Sequence, residues 1–269
     1  GNSFAVLNPD APFKFMLAGH IDEIGLMVTH VDDRGYLSVD QIGGTEIMRW
    51  IGQRVIILGA KGPVLGVVGR NAAHNLKPEQ RDKAPKIEDV WIDIGAKSKK
   101  EALKHARVGD PVVIDVPYRR LLDNKIVARG CDDRVGAWVV AETIRALADR
   151  KLKIGVIGVA TVQEEVGLRG AKTSAYAIDP QAGIAIDVGF ASDYPTTVPK
   201  KTGDVKLGKG PNLHRGPNIN PILQAELEKT AKALKVPIQL TAEPRATGTD
   251  ANAMQLSRAG MATALISIP

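Results

Sequence analysis

The sequence predicts an α/β protein: a central sheet flanked by helices, interrupted by an inserted β-rich domain. Three observations predict it. Apolar, β-branched runs at 154–160, 183–188 and 263–268 have the length and composition of strands buried on both faces. Helical spacing and capping signals occupy stretches around them. Residues 31–124 differ from both, because short β-rich runs recur there between Gly- and Pro-bearing turns. That is the pattern of a compact sandwich or barrel.

Bulk composition narrows the class. A chain of 269 residues has room for one large domain or two smaller ones, with a full hydrophobic core. Hydrophobic residues at 44% and charged ones at 25% are ordinary for a soluble globular protein. No apolar run approaches the ~18 residues of a membrane helix, and no secretory signal opens the chain, so no membrane partner is expected. The lone cysteine, Cys131, excludes an internal disulfide and fits a reducing, cytoplasmic location. It also excludes a thiolate zinc site, which leaves His and carboxylates to hold any metal. The net charge of +6 is spread over scattered Lys and Arg, and aromatics are only 4%. Base-stacking platforms are therefore scarce, and a solvated basic surface is favoured over nucleic-acid binding.

In chain order, the polypeptide starts at Gly1 without an initiator Met and stops at Pro269 directly after an apolar strand, so both ends read as cut. Residues 13–19 read as a strand running into His20-Ile21-Asp22-Glu23. A His at a strand end with Asp two residues on suits a metal ligand oriented by its neighbour; a hydrogen-bonded structural His is the commoner alternative. Within 31–124, the runs 36–39, 54–58, 64–68, 90–94 and 112–116 read as strands. One helix opens there at Ser98, with Glu101 completing a capping box. His74 and His105 lack partners at ligand spacing, so this segment carries no evident chemistry.

Residues 135–150 read as a helix, with Asp132 or Asp133 as its cap. Two aspartates exceed what a cap requires, so one is free for other work. The strand at 154–160 runs into Thr161-Val162-Gln163-Glu164-Glu165-Val166-Gly167. Burying an unpartnered carboxylate costs several kcal/mol and adjacent like charges repel. A divalent cation is the economical partner for the pair, and a solvated surface pair is the alternative. A short linker then reaches the strand 183–188, which carries Asp187. Asn220-Pro221 starts a helix through Leu234, with Asn as cap and Pro at the first turn. Thr247-Gly248-Thr249-Asp250 starts another, to about Arg258, closed by Gly260.

These signals combine. His20, Glu164-Glu165 and Asp187 all stand at carboxyl ends of expected core strands, where open α/β sheets place their ligands. Asp132 stands at a helix start that the same sheet brings to that edge. Such a set suits one or two divalent ions, since imidazole favours zinc or cobalt and carboxylates also accept manganese. No Gly-x-Ser-x-Gly and no Walker loop occurs. Two other classes stay open: a non-catalytic assembly or binding module with a vestigial site, and another di-metal hydrolase such as a deacylase. A glycoside hydrolase would usually rely on two carboxylates without metal.

At these residues the chain resembles the tetrahedral, or glutamyl, aminopeptidase family of dinuclear metallopeptidases, which also carries older endoglucanase names. The resemblance covers nearly the whole chain. Its motifs are His20-Ile21-Asp22-Glu23-Ile24-Gly25-Leu26-Met27, Gly130-Cys131-Asp132-Asp133-Arg134, Gln163-Glu164-Glu165-Val166-Gly167-Leu168-Arg169-Gly170, Ile186-Asp187-Val188, Gly216-Pro217-Asn218-Ile219-Asn220-Pro221 and Gly248-Thr249-Asp250-Ala251. It implies a mixed central sheet flanked by helices, zinc-peptidase-like, formed by 1–30 and 125–269. Residues 31–124 would be an inserted small β-barrel domain that mediates dimer contacts within a dodecameric shell.

The resemblance further implies two divalent ions per subunit. His20 and Asp187 would hold one, Glu165 the other, and Asp132 would bridge them. Glu164 would be the general base, and Asp22 the partner that orients His20. The implied substrates are peptides with a free N-terminus. The family also has a helical portion before the first strand and a His ligand beyond Pro269; His214 lies in a different motif and does not replace that His.

Overall fold

A computed structural model describes residues 1–78 and 83–269. The chain divides into two compact units, one formed by Gly1–Asp22 with Gly130–Pro269 and the other by Glu23–Arg129.

The first unit begins with β1 (Ser3–Leu7) and β2 (Lys14–His20). The second holds β3 (Gly25–Val31), β4 (Leu37–Ile42), β5 (Arg54–Gly59), β6 (Gly62–Arg70) and β7 (Val90–Asp93). A one-turn helix α1 (Lys99–Ala102) precedes β8 (Pro111–Ile114), and the two-residue strands β9 (Arg119–Arg120) and β10 (Ile126–Val127) pair with each other. Strands β3 to β8 close in the order β3-β4-β7-β6-β5-β8. In a closed order no strand is left as an edge strand. Of the two options open from composition, the barrel is the one formed.

Alternation explains the barrel locally. Leu26 and Val28 on β3, Leu37 and Val39 on β4, and Val55 and Ile57 on β5 are buried, two residues apart as the pleat requires. Trp50 fills the interior at 2% exposure and donates its indole N–H to Thr45 Oγ1 at 2.9 Å. The Ser98 hydroxyl accepts from Glu101 N at 3.3 Å, and Glu101 Oε2 accepts from Lys97 N at 2.8 Å. Glu101 thus reaches the N–H before the cap rather than that of Ser98 itself.

After the barrel, the first unit resumes with α2 (Cys131–Leu147) and β11 (Gly155–Thr161). Then come α3 (Arg169–Ile178), β12 (Ala182–Val188), the one-turn α4 (Pro199–Thr202) and β13 (Asn212–Arg215). The chain ends with α5 (Pro221–Leu234), β14 (Gln239–Ala242), α6 (Asp250–Met254) and β15 (Ala262–Ile268). Seven strands form one mixed sheet in the order β1-β11-β2-β12-β15-β13-β14. Its centre, β11-β2-β12-β15, is parallel. Outside this core, β1 and β13 pair antiparallel.

Three local expectations change. The stretch between Glu165 and β12, read as a short linker, contains α3, whose small buried residues Gly170, Ala171, Ser174 and Ala175 give little apolar periodicity. β1, β13 and β14 were not anticipated. β13 and β14 are short and largely polar, and β1, though apolar, is a mostly exposed strand at the sheet margin. The helix opening at Asp250 ends at Met254, short of Arg258. Asn220 caps α5 as its sequence suggests, accepting from Ile222 N and Leu223 N at 3.1 Å each.

Gly19 sets the distance between β2 and α2. A Cβ on Gly19 would come within 2.6 Å of Ala137 N and Gly136 C, so backbone meets backbone there. Beneath this contact Met16, Ala18, Val140, Val159 and Ala185 form the core of the sheet. The parallel centre thereby brings His20, Thr161 and Asp187 to one edge.

Candidate active site

His20 ends β2 and is 2% exposed. Its Nε2 lies 3.0 Å from Asp132 Oδ1, 3.8 Å from Glu164 Oε2 and 3.8 Å from Asp187 Oδ1. Its Nδ1 lies 3.1 Å from the Asp22 carbonyl oxygen and 3.5 Å from Asp22 Oδ1. Asp22 also accepts from Glu164 N at 3.1 Å and Glu165 N at 3.3 Å. One carboxylate thus ties the imidazole to the backbone of the acidic pair. Glu165 joins His20 and Glu164 in a group whose ligand atoms lie within 4.8 Å of one another. All six residues singled out from sequence (His20, Asp22, Asp132, Glu164, Glu165 and Asp187) are brought together at this edge.

Two further acids belong to the cluster. Asp133 is fully buried; its Oδ1 accepts from Gly136 N and its Oδ2 from His20 N, each at 3.1 Å. Asp132 and Asp133 depart from helical geometry inside α2, so Asp133 caps the regular helix that follows it, and Asp132 is the aspartate left over. The doubled Asp was the signal, but sequence did not say which served which purpose. Asp250 is 2% exposed and accepts from the Thr161 hydroxyl at 2.5 Å, while its Oδ1 is buried with no hydrogen-bond partner. Its place inside the Gly248-Thr249-Asp250-Ala251 motif was visible, but its burial was not.

The electrostatics call for positive charge. Burial pushes Glu164 up to about 8, against His20 and with help from Asp187, Asp250 and Glu165. Burial likewise pushes Asp187 up to about 7 and Asp133 up to about 8. Burial alone would lower His20, but hydrogen bonds to Asp132 and Asp22 and the charges of Asp187 and Glu164 raise it to about 11. An imidazole holding its proton that firmly, among carboxylates that resist ionising, marks a site with excess negative charge.

The donor set fits a divalent cation. Besides the Glu164-Glu165 group, His20, Asp133 and Asp187 place ligand atoms within 4.8 Å of one another. Both oxygens of Asp133 already hold backbone N–H groups, whereas Asp132 is 56% exposed and presents an oxygen to Nε2. A single imidazole with carboxylates and no thiolate is the ligand chemistry of zinc, cobalt or manganese.

The family model described as M42 glutamyl aminopeptidase matches residues 1–269. A lysyl aminopeptidase of Pyrococcus furiosus is 41% identical over 274 residues, covering 100% of this chain and 77% of its own. The TET aminopeptidase of the marine sediment archaeon Thaumarchaeota archaeon SCGC AB-539-E09 superposes with a TM-score of 0.94 at 35% identity, covering 100% of this chain and 76% of that one. The TET1 peptidase of Pyrococcus horikoshii, which can assemble into a tetrahedron or a large octahedral shell, gives a TM-score of 0.85 at 34% identity over 99% and 78% of the two chains. With a family match along its whole length and a buried imidazole ringed by acids at the edge where that fold is superposed, the chain belongs to the M42 glutamyl aminopeptidase family.

Proposed function

We propose that this metal-dependent aminopeptidase uses two divalent ions per subunit, zinc or cobalt with manganese as a third candidate. His20 and Asp187 would hold one and Glu165 the other, with Asp132 as the ligand they would share. The observation that carries the reading is the His20 ring, with Asp132, Glu164 and Asp187 gathered within 3.8 Å of Nε2. Bound there, the ions supply Lewis-acid chemistry, lowering the pKa of water towards ~7 and polarising the scissile carbonyl. Glu164 takes the proton of the attacking water and returns it to the leaving amine. Its carboxylate is 7% exposed and lies 3.8 Å from His20 Nε2, so it stands at the cluster where that proton would be exchanged. Asp22 acts as a positioning residue that fixes the His20 ring and, through two N–H bonds, the backbone of the acidic pair.

Glu164→Gln tests the division of labour. The variant is expected to retain its bound metal, read by elemental analysis, while turnover of an aminoacyl anilide falls about 10²–10⁴-fold. Near-normal turnover removes the base assignment; loss of metal would make Glu164 a ligand instead.

Self-association is part of the same proposal. The tetrahedral point group contains twelve rotations, so a shell of that symmetry built from dimers holds twelve copies. The segment 31–124 is proposed to supply the dimer contacts, and exposed Leu58, Leu65 and Val67 on β5 and β6 give it apolar surface for that purpose. No helix among the described residues is long and apolar enough to cross a membrane. The lone thiol supports a cytoplasmic location, which cell fractionation would contradict by finding the protein outside.

A further inference from the structure

The loop that carries Glu164 and Glu165 is closed at its base by a side chain far from it in the chain. β11 ends at Thr161 and α3 begins at Arg169. Between them the backbone turns back on itself. Gly167 N and Leu168 N both donate to Glu164 O at 2.9 Å, Arg169 N donates to Gln163 O at 3.1 Å, and Gly170 N donates to Val162 O at 2.9 Å. Gln163 and Leu168 hold φ values of 59° and 57°. Residues other than glycine keep this left-handed conformation only where their surroundings impose it.

Asn2 supplies that constraint. The β1–β11 ladder ends where Ser3 faces Ala160, and the half-buried side chain of Asn2 continues the pairing past the end of the strand. Its Oδ1 accepts from Val162 N, at the start of the loop, at 3.0 Å. Its Nδ2 donates to Gly170 O at 3.0 Å, where the loop enters α3, and to Ser174 Oγ at 2.6 Å one turn further on. A backbone N–H only donates and a carbonyl only accepts, so these partners fix which end of the amide is which. The fit depends on Gly170, because a Cβ there would stand 2.6 Å from Asn2 Oδ1 and would collide with Val162 O. One side-chain amide thus holds both ends of the loop, in the space that a side chain at position 170 would fill.

Asp22 holds the middle of the same loop, through Glu164 N and Glu165 N. With base and middle both tied, the Glu164 carboxylate is kept 3.8 Å from His20 Nε2.

We infer that Asn2 is a positioning residue for the hydrolytic step: by closing the loop 162–170 it holds the Glu164 carboxylate where the attacking water gives up its proton. The inference rests on the assignment of Glu164 as general base, which Glu164→Gln tests by itself. Asn2→Ala would leave Val162 N and Gly170 O without this partner and let the loop relax out of its left-handed turns. Asn2→Asp would keep the bond to Val162 N but set a carboxylate against the Gly170 carbonyl, so it releases the helix side alone.

The test compares Asn2→Ala with the unmodified, metal-loaded protein on an aminoacyl anilide, alone and combined with Glu164→Gln. Asn2→Ala is expected to lower kcat about 10²-fold, the scale on which a misplacement of about 1 Å acts, with KM little changed and metal content retained. In the Glu164→Gln background the same substitution is expected to cost less than about threefold, because a base already removed cannot be misplaced. A loss that multiplies undiminished in that background marks a general structural role and overturns the inference. So does a kcat for Asn2→Ala within about threefold of the unmodified protein. Metal lost in proportion to kcat would mean that the loop secures Glu165 rather than Glu164, and overturns it as well. Should Asn2→Ala not fold, Asn2→Asp carries the same comparison with the Val162 bond intact. Amide hydrogen exchange gives a readout independent of activity: Val162 is expected to be protected in the unmodified protein and released in Asn2→Ala. Rapid exchange at Val162 in the unmodified protein overturns the inference without any substitution. Near-normal turnover of Glu164→Gln removes the base assignment and the inference with it, whereas a failure confined to Asn2 leaves that assignment intact.

Discussion

Asp133 has no solvent exposure, and each of its oxygens has an assignment. One caps α2 through Gly136 N; the other receives the N–H of His20. A single side chain thereby fixes the end of a strand relative to the start of a helix, and so fixes His20 relative to Asp132. Asp133→Ala would leave two buried N–H groups unpaired, at about 1–3 kcal/mol each, and would add the loss of a helix cap. The expected result is a lower melting temperature together with weakened metal binding, read by calorimetry and elemental analysis. A variant with native metal content would show that Asp133 serves stability alone. Asp22 works in the same manner from the other side of the ring. Its carboxyl is lowered despite partial burial, because His20 and the two glutamate N–H groups all favour the anion.

At the scale of elements, the site depends on how closely α2 approaches β2. Gly19 lies against the backbone of Gly136 and Ala137, and a Cβ there would be 2.6 Å from backbone atoms of α2. Overpacking of this kind typically costs about 1–3 kcal/mol, and backbone has no rotamer to move aside. Gly19→Ala is expected to lower the melting temperature and to reduce kcat by displacing Asp132 from His20, although neither substituted atom touches substrate. Unchanged activity in a folded variant would mean that the Asp132–His20 spacing tolerates a shift of α2. The helix between Glu165 and β12 follows the same small-residue logic: Gly170 and Ala171 sit against the sheet, so α3 packs closely while showing no apolar stripe.

For the whole molecule, each unit has its own core, one centred on the parallel strands and one inside the barrel. Assembly is the property left to the surface. Light scattering is expected to give a mass near twelve copies of the 28.7 kDa chain, the count a tetrahedral shell requires. Leu65→Asp, on the exposed side of β6, is expected to shift that mass to smaller species, because a charge at an apolar contact must be desolvated. A wild-type monomer removes the shell proposal; a Leu65→Asp shell of full size removes the role of β6.

Much of this was written in the order of residues. Apolar runs ending in His20, Glu164-Glu165 and Asp187 announce core strands with a charged carboxyl edge, the place where open α/β sheets bind their ligands. Doubled Asp132-Asp133 announces a cap plus a spare carboxylate. Local signals stop there. Which aspartate caps depends on the His20 N–H reaching across from another strand, and the burial of Asp250 depends on Thr161. The hydrogen bonds that tie His214 to Glu243 and to Ser267 join three segments that share no spacing. Hydrogen bonds between residues far apart in the chain leave no periodicity in it, so only the tertiary structure decided those partners.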